Sequence, residues 1–212
     1  MYKRQSLLGF VPGITTPGGV THQSIEDVGI LRTIPNMTIF DCGDATDVES
    51  ALNICKEVNG PIYVRMLRGQ IPRLFSPDKP TEFNKGRVIS EGDDVALFSS
   101  SICTEEAMRA TQWLEKKGVS VQHVHVTTLK PFTDPLVVDS IKKVKHGVVT
   151  MENHVTIGGL GTAVGEVMLE HQLHKQLIKV GINDEWTHGA SKPYLLKKYG
   201  LDAASLIRAI EK

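Results

Sequence analysis

The stretch MTIFDCGDATDVESALNICKEVNGPIYVRML, Met37 to Leu67, decides the fold class. MTIFDCG is a short apolar run of the kind that forms a buried strand. DATDVESALNICKEVN follows as an amphipathic segment of helix length, with Asp44 or Thr46 placed to cap it and Asn59-Gly60 to end it. PIYVRML, from Pro61, reads as a strand again. Strand, helix and strand in that order predict a parallel pair covered by a helix.

The alternation continues both ways. Upstream, LLGFV reads as a strand and residues 24–34 as a helix carrying Ile25, Val28, Leu31 and Ile34 on one face, with Thr21 as its N-cap. Downstream, RGQIPRLFSPDKPTEFNKGR holds three of the ten prolines and no clear period, which predicts a linker. Beyond it DVALFSSS, VSVQHVHV, HGVVTMEN and LIKVGIND read as strands. CTEEAMRATQWLEKKG, TDPLVVDSIKKV, GTAVGEVMLEHQLH and LDAASLIRAIEK read as helices, the first starting at Ser101 or Thr104. The expected class is α/β, two consecutive units of mostly parallel sheet flanked by helices.

Composition narrows the function classes. The chain has 212 residues, and Lys plus Arg equals Asp plus Glu at 24 each. The cationic excess that tracks a phosphate backbone is missing, so nucleic acid is not an expected partner. Cys42, Cys55 and Cys103 are scattered and form no CxxC pair, which supports neither a disulfide framework nor a zinc ribbon and fits a cytoplasmic setting. The apolar run near the N-terminus breaks at Pro12-Gly13, unlike a signal peptide, and no apolar stretch is long enough to span a bilayer. A soluble protein with no membrane partner is expected.

Several motifs carry chemistry. TIGGLGTAVGE follows a strand and opens a helix, so a dinucleotide site is one reading: Gly159 and Gly161 give G-x-G, with Asp184 about 20 residues on as a ribose ligand. Gly165 falls one residue late for that fingerprint. Tight packing of the helix start is the simpler explanation. His171 and His174, three apart on a predicted helix beside Glu166 and Glu170, suggest a metal site or solvated side chains. His123 and His125 share one face of a strand and read as half-buried sheet residues. His22 stands where a glycine pair, Gly18-Gly19, meets the predicted helix start, a position that aims an imidazole at something. Arg65, Arg68 and Arg73 lie at and beyond the carboxyl end of a predicted parallel strand, the edge where α/β sheets bind ligands; a guanidinium there suits a phosphate or carboxylate, or an ion pair.

Together these stretches resemble the transketolase family, thiamine-diphosphate enzymes that transfer two-carbon ketol units. The resemblance rests on GVTHQSIEDVGILRTIPNMTIF, PIYVRMLRGQIPRLF, TLKPFTDPLV and MENHVTIGGLGTAVGEVM, in the family's order. It implies that residues 1–70 are an incomplete pyrimidine-binding domain, 71–86 a linker and 87–212 the family's C-terminal domain, whose role is chiefly structural and dimer-forming. His22 then corresponds to the catalytic and substrate-binding histidine beside the thiazolium, and Arg68, four residues before Pro72, to the arginine on the sugar phosphate; Arg65 and Arg73 do not match that position. Phe10 and Gly18 replace a histidine and an acidic residue that recognise substrate hydroxyls, which implies a differently shaped donor.

The resemblance also implies thiamine diphosphate with Mg2+ held mainly by a diphosphate-binding domain or partner subunit, in a homodimer or heterotetramer. The activating glutamate of the pyrimidine domain has no counterpart in this sequence. A truncated product of a gene in this family, or an incompletely delimited gene, inactive alone, is therefore expected, with a dimerisation or interaction module as the non-enzymatic alternative. The decisive expectation is that His22 and Arg68, from two neighbouring strand–helix connections, converge on one cleft.

Overall fold

The computed structural model describes residues 4–211. The first segment contains β1 (Ser6–Gly9), α1 (Asp27–Arg32), β2 (Thr38–Asp41), α2 (Ala45–Glu57) and β3 (Ile62–Arg65). β3 pairs in parallel with both β1 and β2. Asp44 caps α2 as the sequence predicts, its Oδ1 accepting from Asp47 N at 2.9 Å. Its Oδ2 accepts from the backbone N–H groups of Leu74 and Phe75, both at 3.0 Å, so the segment after β3 is strapped onto α2.

The second segment begins with β4 (Arg87–Ser90), a half-buried edge strand that the sequence pattern does not reveal. β5 (Val95–Ser99), α3 (Cys103–Lys116), β6 (Val121–His125), β7 (Thr128–Lys130), α4 (Pro135–Lys143), β8 (Gly147–Val155), α5 (Leu160–Glu170), β9 (Gln176–Ile182), α6 (Lys192–Lys198) and α7 (Ala203–Ile210) complete the chain. Asp134 caps α4, with Pro135 in the first turn. The second sheet runs β4-β6-β5-β8-β9, parallel except for β4.

Two sequence expectations change. The helix foreseen over 24–34 is the six-residue α1; Glu26, not Thr21, precedes it, and Thr21 and His22 belong to a separate 3-10 turn, Val20–His22. The cause is that Ser24 is held in an extended bridge to Pro12, so no helix can begin before it. The units are also interleaved: β7 leaves the second segment and pairs antiparallel with β2, giving a first sheet ordered β1-β3-β2-β7. Two buried clusters each draw on both segments: one joins Phe40, Val64 and Leu67 to Ile102, Cys103 and Met151, the other Ile39 and Tyr63 to Phe98 and Val124.

Candidate functional site

β1 and β3 are parallel neighbours, in register from Ser6 opposite Ile62 to Gly9 opposite Arg65. The loops after them therefore leave from one sheet edge, the carboxyl edge where α/β folds bind ligands. The first loop, Val11–Ser24, is closed at its neck: Gly13 N donates to Ser24 O at 2.6 Å, and Ser24 N to Val11 O at 3.1 Å. Inside it, Gln23 Nε2 donates to Thr16 O and Thr16 Oγ1 to His22 O, both at 2.7 Å. Such a self-tied loop presents its tip in one shape.

His22 stands at that tip, exposed. Its Nδ1 shares a 2.8 Å hydrogen bond with Thr21 Oγ1, and its Nε2 has no partner among the described residues. Thr15, Thr16, Pro17, Gly18, Thr21 and His22 line a cleft of about 430 Å³ whose other wall is Arg68 and Gly69 from the loop after β3. Arg68 is exposed and makes no hydrogen bond or ion pair among the described residues. The imidazole and the guanidinium thus face one cleft, from two neighbouring connections. Gly18 lines that cleft, whereas exposed Phe10 stands outside it.

The other arginines are spent on structure. Arg65 is fully buried. It donates to Asp27 Oδ2 at 2.9 Å, to Ser24 O at 3.0 Å and to Asn153 O at 2.9 Å, and its guanidinium lies 3.6 Å from Asp41. Burial opposes the charge of Asp27, but Arg65 and the Tyr63 hydroxyl hold its pKa below the usual range. Asp41, buried and only loosely paired, is pushed up to about 6. Arg73 pairs with Glu49 across α2 through two hydrogen bonds, of 2.6 and 3.0 Å.

The dinucleotide reading is overturned at the start of α5. The backbone N–H groups of Leu160 and Gly161, the donors a pyrophosphate would use, are taken by the buried Glu152 carboxylate at 2.6 and 2.8 Å. A side chain at Gly159 would run into that carboxylate, so the glycines serve its close approach. Burial raises the Glu152 pKa to about 7 even though those amides favour the charge. His171 and His174 fall beyond the end of α5, both exposed, rather than on one helix face. Among the described residues, no group of three His, Cys, Asp or Glu is placed to hold a metal ion.

His123 and His125 are wholly rather than half buried. His125 contacts Asp47 at 2.8 Å and Thr104 Oγ1 at 2.7 Å, an acid–imidazole–hydroxyl order that resembles a hydrolytic triad. Thr104 is sealed from solvent, so no substrate reaches it and the row is a core network. His154, pushed down to about 4 by burial and the Arg65 charge, accepts from Gly29 N at 3.2 Å and donates from Nδ1 to Val155 O at 2.7 Å. Sequence reasoning missed Gln23, Asn153 and Thr187, which hold the His22 loop; only Gln23, next to His22, offered a local signal.

Comparison with known proteins decides the family. Residues 4–73 match the model of the transketolase pyrimidine binding domain, and residues 84–206 that of the transketolase C-terminal domain. The chain belongs to the transketolase family. A Methanocaldococcus jannaschii protein described as a transketolase C-terminal section is 36% identical over 201 residues, covering 93% of this chain and 62% of its own length. A 6-deoxy-6-sulfo-D-fructose transketolase subunit of a Clostridium species is 35% identical, covering 96% and 63%. Among solved structures, a split gene transketolase described as an inactive β4 tetramer superposes with a TM-score of 0.87 at 37% identity, covering 97% of this chain and 65% of that one. The chain thus spans a little under two thirds of these transketolase-family relatives. No described helix is long and apolar enough to cross a membrane.

Proposed function

We propose that this chain is the C-terminal part or small subunit of a transketolase-like enzyme that moves a two-carbon ketol unit from a ketose, phosphorylated at its far end, to an aldehyde. The observation that carries this reading is the shared cleft of His22 and Arg68. His22 Nε2 acts at the ketose carbonyl oxygen, donating a hydrogen bond as negative charge develops there and moving a proton as the carbon–carbon bond breaks. Arg68 holds the terminal anion with two parallel hydrogen bonds, supplying orientation rather than bond-making. The Thr21 hydroxyl on Nδ1 fixes the ring plane.

Thiamine diphosphate supplies the carbon that carries the ketol unit in this family. The cleft suits the sugar better than the cofactor: among the described residues no carboxylate lines it to hold an aminopyrimidine or a Mg2+ ion. In this reading the diphosphate and the metal are held by a partner subunit or domain, in a homodimer or heterotetramer, and the chain alone neither turns over nor binds the cofactor tightly. A second reading for the anion follows from the sulfosugar named for the Clostridium relative: a sulfonate meets the same guanidinium.

The test is reconstitution. The chain is combined with a diphosphate-binding polypeptide of a transketolase relative, and two-carbon transfer from ketose phosphates and from 6-deoxy-6-sulfofructose is followed by product analysis. Transfer by the mixture and by neither chain alone supports the reading. Micromolar cofactor binding by the isolated chain refutes its partner requirement, and no transfer by an assembled mixture refutes the reaction. A dimerisation module would assemble without any transfer.

A further inference from the structure

We propose that Asn153 and Thr187, both from the second segment, are positioning residues that hold the two ends of the Val11–Ser24 loop and thereby fix where His22 stands. The catalytic half of this rests on the ketol-transfer reading; the anchoring does not. Asn153 sits on β8, fully buried. Its side-chain Oδ1 accepts from Ile14 N at 2.9 Å and its Nδ2 donates to Pro12 O at 3.2 Å. One amide thus satisfies a donor and an acceptor on either side of Gly13, which holds a left-handed φ of 53° and where any side chain would collide with that amide. An amide offers both polarities on one planar group; a carboxylate offers only acceptors.

Thr187 holds the far end. It is 1% exposed, and its Oγ1 donates to Gln23 Oε1 at 2.5 Å. Because that oxygen is taken, the Gln23 amide points its Nε2 at Thr16 O, which closes the far end of the loop onto the near one. Two residues on, the Gly189 backbone lies against Pro17 O and Gly19, where a side chain would sit 2.7 Å from that oxygen. Gly19, at φ 69°, then accepts from His22 N at 2.8 Å. Val20, Thr21 and His22 bury nothing themselves, so the tip takes its shape from these anchors. A displacement of about 1 Å in a reacting group can cost roughly a hundredfold in rate, which is why a loop tip without buried side chains of its own needs them.

The experiment compares Thr187→Val, of similar size but with no hydroxyl to donate, with Thr187→Ser, which keeps the donor; Asn153→Ala is a second probe whose folding is checked first. Backbone hydrogen exchange on the full chain is expected to quicken at residues 12–23 by about five- to tenfold in Thr187→Val, and to return in Thr187→Ser. In the assembled enzyme, kcat is expected to fall about tenfold or more in Thr187→Val with KM changed by less than about threefold, again restored by serine. Exchange within about twofold of wild type in a folded Thr187→Val chain overturns the anchoring. Faster exchange with an unchanged kcat overturns the positioning role. An assembled wild-type enzyme without ketol transfer sinks the catalytic half, while the exchange result still decides the anchoring.

Discussion

Replacing Arg65 by methionine is the sharpest test of how the two segments are joined. The guanidinium is fully buried and touches four groups from three places: Asp27 at 2.9 Å, Ser24 O at 3.0 Å, Asn153 O at 2.9 Å and, more loosely, Asp41 at 3.6 Å. Methionine fills similar volume but donates nothing. Asp27 keeps the Tyr63 hydroxyl at 2.6 Å, while Asp41 loses its nearby cation and two backbone carbonyls lose a donor. Stranding a buried charge in this way costs about 3–5 kcal/mol. Adding Asp27→Asn and Asp41→Asn neutralises both carboxylates and should recover about 1–3 kcal/mol, because the stranded charges rather than the lost contacts dominate. Without the arginine Asp27 loses the partner that holds its pKa down, and the already raised pKa of Asp41 climbs further, so both folded-state values move up. An acid whose folded pKa is raised destabilises the fold as pH rises, so the penalty is larger at pH 8 than at pH 5. Equilibrium urea unfolding at both pH values measures this. A loss below about 1 kcal/mol in Arg65→Met, or no recovery in the triple variant, refutes the account.

Arg68→Ala in the reconstituted enzyme should raise KM for anionic ketoses by about tenfold or more while kcat falls less; an equal loss with unphosphorylated ketoses would argue against an anion-holding role. His22→Asn should lower kcat by about 10²–10⁴-fold with the chain still folded and still assembling, and a smaller effect would remove the proton-handling role. Glu152, with a pKa near 7 against an ordinary 4.5, stays protonated in the fold over an interval where the unfolded chain ionises. Wild type should therefore lose about 2.5 kcal/mol relative to Glu152→Gln between pH 5 and pH 8. A stability difference flat in pH contradicts the raised value.

Much of this was legible locally. The βαβ pattern of residues 37–67 and the Asp44 cap follow from short-range period and capping chemistry, as does the strand end before Arg68. His22, by contrast, is expected at a helix start that the structure replaces with a 3-10 turn. What stayed hidden depends on contacts distant in sequence. The helix expected from residue 24 shrinks because Ser24 is pinned to Pro12. Arg65, Arg68 and Arg73 share a residue type and a neighbourhood, yet a three-residue step turns a core ion pair into a free guanidinium, since the strand ends between them. The glycine cluster at 158–161 looks like a phosphate cradle until the chain supplies Glu152 to fill it. β4 and β7 are too short and too mixed in polarity for their own sequence to announce them.

β7 has a consequence for how this protein can be cut and recombined. Three residues from beyond the linker form the border strand of the first sheet, and from Lys130 an ammonium group donates to Arg32 O and Ile34 O at the end of α1. A chimera joined between residues 71 and 86 would therefore inherit a foreign border strand along with its new C-terminal half. Exchange of parts between relatives along that seam succeeds only where Thr128–Lys130 travels with the sheet it closes.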